Sequence, residues 1–146
     1  MLGAAIVHPN RREVIPLCPE MIIKQDGKTK QDCEREAAKR FLRQFRLEHP
    51  HLKCLAIEDR ISSNGPHVND LINNDLRFIL GAKPGDHVLL FERLDQAVKD
   101  GVATEFSENR PDCPETTHYY RFVNGASLNK SHPDILVNVL DYWQID

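Results

Sequence analysis

A chain of 146 residues, 40% of them apolar, has the length and the composition for one ordinary domain whose core closes without disulfides or metals. Its formal net charge of −3 excludes a uniformly basic nucleic-acid binder, so any DNA contact has to come from a local patch. No run approaches the ~18 apolar residues of a membrane span, and the opening MLGAAIVHPNRR lacks a charged region followed by a long apolar one, which points to a cytoplasmic protein without membrane association.

The segment from Leu2 to His8 is a short apolar run that ends at Pro9-Asn10, and a β-rich run resumes from Glu13 to Leu17; together they predict a hairpin. Because Met1 already lies inside this apolar strand, an element preceding the hairpin is expected to be missing. After Gln25-Asp26-Gly27, Thr29 and Asp32 have the spacing of a capping box, with Asp where Glu or Gln is usual, so a helix should begin near Lys30. Cys33, Ala37, Ala38, Phe41, Leu42 and Phe45 then recur at helical spacing until His49-Pro50 ends the pattern. The other side of this helix carries Arg35, Lys39, Arg43 and Arg46 at intervals of three or four, a basic stripe. A solvated helix face accounts for such a stripe more simply than DNA does, and DNA phosphates are the functional alternative.

Leu52 to Ile57 (LKCLAI) reads as a strand covered on both faces, ending abruptly in Glu58-Asp59-Arg60. After the polar SSNGP, a short helix from His67 to Leu76 is started by Pro66, and Arg77 to Ala82 reads as another buried strand. Strand, strand, helix, strand, helix, strand is an α/β order. From His87 the texture changes: HVLLFERLDQAVKDG reads as helix, and ATEFSE, HYYRFV and DILVNVLDYW read as strands. Asn124-Gly125 is a tight-turn signal with ASL starting the return strand, and ENRPDCPETT reads as a loop tip. The expected division is therefore an α/β part over 1–86 and a β-rich region over 87–146.

The cysteines, Cys18, Cys33, Cys54 and Cys113, form no CxxC pair, so free and mostly buried thiols are expected rather than a zinc knuckle or a redox dithiol. The histidines are dispersed, and His49 and His51 flank Pro50 in a turn instead of forming a helical metal-binding pair. Ser62 and Ser63 lack the context of a nucleophile elbow, and Lys83-Pro84-Gly85-Asp86 lacks the glycine spacing of a phosphate loop. Tyr119-Tyr120 with Arg121 suits stacking on unpaired bases, although alternating burial in a hairpin explains these residues too. Asp59 stands just past the C-terminal end of an apolar strand, where open α/β sheets present catalytic groups. Neighbouring strand residues point to opposite faces, so only one of Glu58 and Asp59 reaches a given metal. Capping of the following turn is the competing reading of Asp59, and by local sequence alone it stands slightly ahead.

The runs GAAIVHPNRREVIPLCPEMI, KTKQDCEREAAKRFLRQFRLEHPHLK, AIEDRISSNGPHVNDL, RFILGAKPGDH and HYYRFVNGASLNKSHPDILVNVLDYW, in this order, resemble the DDE-domain transposases of bacterial insertion sequences, near the group called insertion-sequence family four. The resemblance spans essentially the whole chain. It implies a ribonuclease-H-like mixed sheet with helices, here incomplete and followed by a β-rich insertion. It also implies cleavage and strand transfer at transposon DNA ends by two Mg²⁺ ions held by three carboxylates, one ion activating the nucleophile and the other stabilising the leaving oxygen, about 3.5–4 Å apart. By this resemblance Asp59 is the second acidic residue and a metal ligand. Departures accompany the match. Asp26 and Asp32 fall between the hairpin and the first helix, not on a strand preceding the hairpin. The late helix with its tyrosine, arginine, glutamate and lysine pattern is absent, and Arg60 stands where a small residue belongs. The expectation is a transposase fragment, inactive by itself, whose parent cuts and joins DNA. A non-catalytic DNA- or transposase-binding remnant and a decayed gene product are the alternatives, and self-association through an uncovered sheet edge is a further expectation.

Overall fold

A computed structural model describes the backbone of residues 1–146 and the side chains of all except Gln31 and Ile61. The chain is mixed α/β and divides into two compact units, 1–81 and 82–146.

In the first unit β1 (Ala5–Ile6) and β2 (Ile15–Pro16) pair antiparallel, and a bridge between Leu2 and Glu20 prolongs the hairpin. A short 3₁₀ turn, Lys24–Asp26, leads to α1 (Lys30–Glu48). The helix starts where the capping box places it: the Thr29 hydroxyl accepts the Asp32 N–H at 3.1 Å, and the Asp32 carboxylate accepts the Thr29 N–H at 3.1 Å. Arg40 ties the connection to α1, donating to Glu20 at 2.9 Å, to Asp26 at 2.9 Å and to the Met21 carbonyl at 2.8 Å. Its hydrogen bond is the main reason the Asp26 carboxyl lies below its ordinary range.

β3 (Leu55–Glu58) and β4 (Arg77–Leu80) pair in parallel, in the register Leu55 to Arg77 and Glu58 to Leu80. They are joined by a 3₁₀ turn, Arg60–Ser62, and by α2 (Gly65–Asn73), whose N-cap Asn64 accepts the His67 N–H at 3.1 Å. The core is Leu42 and Phe45 of α1 with Leu71 and Leu76, onto which Leu17, Phe41, Cys54, Ala56, Phe78 and Leu80 pack. Residues after β2 and residues of β3 and β4 thus meet one shared helix layer, yet the two sheets are not hydrogen-bonded to each other.

The expectation that LKCLAI is covered on both faces is corrected here. Leu55, Ile57 and Ile79 remain 47%, 69% and 57% exposed, so the helices cover one face of the β3–β4 pair and leave its other, apolar face open. The thiols are all free as expected, but Cys18 and Cys113 are exposed, so they are not mostly buried.

In the second unit α3 (Val88–Lys99) packs on β6 of an antiparallel sheet ordered β5 (Thr104–Arg110), β6 (Cys113–Asn129), β7 (His132–Ile145). The helix stops in a Schellman arrangement: Gly101 has φ of 69°, its N–H reaches the Val98 carbonyl, and the Val102 N–H reaches Ala97 at 2.9 Å. Asn124-Gly125 is not the expected tight turn. β6 runs through it, and Gly125, with φ of 70°, forms a bulge where the pairing shifts between Val123 and Ala126. The chain reverses instead beyond Asn129, where the Asn129 side chain accepts the N–H groups of Ser131 and His132. The ENRPDCPETT segment is mostly strand, with β5 reaching Arg110 and β6 starting at Cys113. No helix among the described residues is long and apolar enough to cross a membrane.

Candidate functional site

The C-terminal end of β3 gathers most of the chemistry of the first unit. Glu58 is the last strand residue and shares the covered face with Cys54 and Ala56. The first turn of α2 brings His67 beneath it, 5% exposed, with Nε2 at 3.0 Å and 3.1 Å from the two carboxylate oxygens. Burial alone would raise the Glu58 carboxyl, but the hydrogen bonds from His67 and Ser62 and the charge of His67 together outweigh it, and the group titrates below its ordinary value. Glu58 is therefore a clip that joins the strand end, the following turn and α2. Sequence reasoning missed His67, because its place under Glu58 depends on how α2 crosses the strand.

Asp59 is one step further along the chain and exposed. Its carbonyl accepts the Ser62 N–H at 3.3 Å, which closes the 3₁₀ turn. Gly81, just past the parallel end of β4, bonds through its N–H to the Glu58 carbonyl at 3.2 Å. A Cβ at Gly81 would lie 3.1 Å from the Arg60 nitrogen and 3.5 Å from the Asp59 carbonyl carbon, so the glycine lets the two strand ends close around the Asp59-Arg60 backbone. Among the described residues no three of His, Cys, Asp and Glu come together in a way that holds a metal ion. Asp59 thus offers one exposed carboxylate beside a second, Glu58, that is already directed to a histidine.

The basic stripe on α1 divides in two. Arg35, Lys39 and Arg43 are exposed, Arg35 standing 3.9 Å from Asp32. Arg46 turns its guanidinium to backbone carbonyls: Nε to Asn74 at 2.7 Å, Nη2 to Asp75 at 3.1 Å, and Nη1 to His49, Pro50 and Leu52. It fastens the end of α1 to the end of α2, where Asp75 adopts a positive φ of 51°.

In the second unit Tyr119 and Tyr120 lie on opposite sheet faces. Tyr119 stacks on Trp143 at 5.4 Å with Arg121 over the indole at 5.6 Å, and Arg121 is held by Asp141 at 2.7 Å. Tyr120 stands between Phe106 at 4.6 Å and Tyr142 at 5.3 Å in a row crossing all three strands. Comparison of the chain with family models, with curated proteins and with solved structures finds no match.

Proposed function

We propose that residues 1–81 are part of a ribonuclease-H-like transposase core of the DDE type, and that Asp59 is one of the carboxylates with which the complete enzyme binds Mg²⁺. The observation that carries this reading is the placement of an exposed aspartate at the C-terminal end of β3 in a strand–helix–parallel strand unit, while its neighbour Glu58 turns to His67. The element order of hairpin, helix, parallel pair supports it, as does the packing of Leu17, just after the hairpin, and of Ala56, Phe78 and Leu80 of the parallel pair on one helix layer.

The substrate of the complete enzyme is DNA at transposon ends, and its chemistry is metal-dependent cleavage and strand transfer. Among the described residues no group of three carboxylate, histidine or cysteine side chains assembles, and on this reading the remaining ligands of the complete enzyme come from outside the described cluster. The test is nicking of supercoiled DNA by the purified chain across Mg²⁺ and Mn²⁺ titrations, with Asp59→Ala as control. A folded chain that does not nick, but whose resonances next to Asp59 broaden with Mn²⁺ and do not in Asp59→Ala, supports the proposal. Metal-dependent nicking that Asp59→Ala leaves intact refutes it.

A second reading, DNA binding without catalysis, draws on the exposure of Arg35, Lys39 and Arg43 along one side of α1. Binding that weakens steeply with salt, and by about one unit of log–log slope for each of these residues removed, distinguishes phosphate contact from a solvated face.

A further inference from the structure

Asn-Gly occurs twice in the sequence, at 64–65 and at 124–125, and the two copies stand in opposite surroundings. Glycine has no side chain to obstruct its own amide nitrogen, so this nitrogen attacks the carboxamide carbon of the preceding asparagine wherever the backbone is free to bring the two together. At the first copy the backbone is not free. The Asn64 side-chain oxygen accepts the His67 N–H at 3.1 Å as the N-cap of α2, the side-chain nitrogen donates to the Ser62 carbonyl at 3.4 Å, and Gly65 is buried as the first residue of the helix. Carrying the Asn64 carboxamide over the Gly65 nitrogen breaks the cap and unwinds the first turn of α2.

The second copy is open. Asn124 and Gly125 are exposed and lie in the bulge of β6, where the pairing with β7 jumps from Val123 to Ala126 and the pairing with β5 has ended at Phe122. Neither residue belongs to a ladder pair. A Cβ at Gly125 would meet nothing within 4 Å, and the Asn124 side chain has no hydrogen-bond partner among the described residues. One bond restrains the nucleophile: the Gly125 N–H donates to Oδ1 of Asn138, on the facing strand, at 3.2 Å.

We infer that Asn124 is a site of spontaneous covalent modification, a deamidation whose only co-reactant is water, and that Asn138 restrains it. The Gly125 nitrogen forms a bond to Cγ of Asn124, its proton passes to the carboxamide nitrogen, and the carboxamide C–N bond breaks to release ammonia and leave a succinimide ring. Water then opens the ring at either carbonyl and leaves aspartate or isoaspartate at 124; nothing is oxidised or reduced. Each event adds one negative charge to a chain of formal net charge −3, and isoaspartate also lengthens the main chain of β6 by a methylene at the bulge.

The experiment incubates the full chain in mildly alkaline buffer, folded and in urea, and follows tryptic peptides 122–130 and 61–77 by tandem mass spectrometry, which registers the gain of about one dalton at the modified residue. In urea the two copies are expected to react at comparable rates. In the folded chain Asn124 is expected to react roughly tenfold faster than Asn64 or more, because Asn64 reacts only through opening of α2. Asn138→Ala is expected to speed the reaction at 124 several-fold and to leave that at 64 unchanged, whereas Asn138→Asp keeps an acceptor for the Gly125 N–H and keeps the slower rate. Circular dichroism of both variants verifies folding. Equal rates at the two copies in the folded chain overturn the inference, as does an Asn124 that reacts only in urea. A rate at 124 that Asn138→Ala leaves unchanged, or that Asn138→Asp raises equally, overturns the role of Asn138.

Discussion

Replacing Arg46 by lysine keeps a positive charge on α1 and removes the planar fork, which separates a structural role from a DNA-binding one. The guanidinium donates to carbonyls of Asn74, Asp75, His49, Pro50 and Leu52, drawn from two segments of the chain. Lysine offers a single ammonium, which reaches one of these groups. A hydrogen bond from a charged donor contributes about 1.5–3 kcal/mol, and losing the two well-formed bonds at Nε and Nη2, at the lower end because the side chain is half-exposed, gives about 3 kcal/mol. With a urea dependence of about 1 kcal/mol per molar for so small a unit, the midpoint falls by roughly 2–3 M. The assay is urea unfolding followed at the methyl resonances of Leu71 and Val68, which report the first unit alone. Arg46→Lys should leave the salt dependence of DNA binding unchanged, whereas Lys39→Ala or Arg43→Ala should lower that dependence and spare stability. A loss below about 0.5 kcal/mol for Arg46→Lys would mean that water serves these carbonyls equally well, and the clip argument would be wrong.

His67→Ala leaves the half-buried Glu58 carboxylate without its partner and should cost about 2 kcal/mol, read by the same unfolding assay. Since the Glu58 carboxyl is held below its ordinary value of about 4.5, its contribution is complete above that pH and is lost as pH falls through the lower folded value; a first-unit stability that stays flat from pH 5 to pH 2 would contradict this. Gly81→Ala pushes a methyl group against the Asp59-Arg60 backbone and should cost about 1 kcal/mol while moving the Asp59 amide resonance, detectable in a nitrogen–proton spectrum. Gly101→Ala forces a side chain into the left-handed region after α3 and should cost about 1 kcal/mol in the second unit, with no change in the first.

Much of the local architecture is legible in the sequence because it is decided locally. Thr29 and Asp32 are enough to start α1, and the spacing from Cys33 to Phe45 is enough to orient it. Asn124-Gly125 misleads because a positive φ serves a bulge and a turn alike, and what settles the matter is the partner strand: β7 continues opposite it from Val139 to Val137. LKCLAI misleads differently. Alternation in burial cannot be read from Cys54 to Ile57, which are apolar at successive positions, so a strand with one open face and a strand with none look the same. Periodicity groups Arg46 with the basic stripe, because it gives the helix face and not the reach of a long side chain over the end of the helix.

The two adjacent carboxylates at the end of β3 bring these threads together. Strand geometry sends Glu58 to the covered face, where a carboxylate without a partner would be strongly destabilising, so burial itself calls for a residue such as His67 in the first turn of α2. Glu58 is thereby explained by stability. The pair of substitutions that tests this is Glu58→Gln against Asp59→Asn, each assayed for unfolding and for Mn²⁺ line broadening at residues 59 to 62. Glu58→Gln should destabilise the first unit by about 1–2 kcal/mol, because the charged end of the clip is lost, and leave the broadening in place. Asp59→Asn should abolish the broadening, because it removes the carboxylate proposed to hold the ion. Broadening that follows Glu58 instead would show that His67 yields its partner to a metal, and the assignment of the ligand would move by one residue.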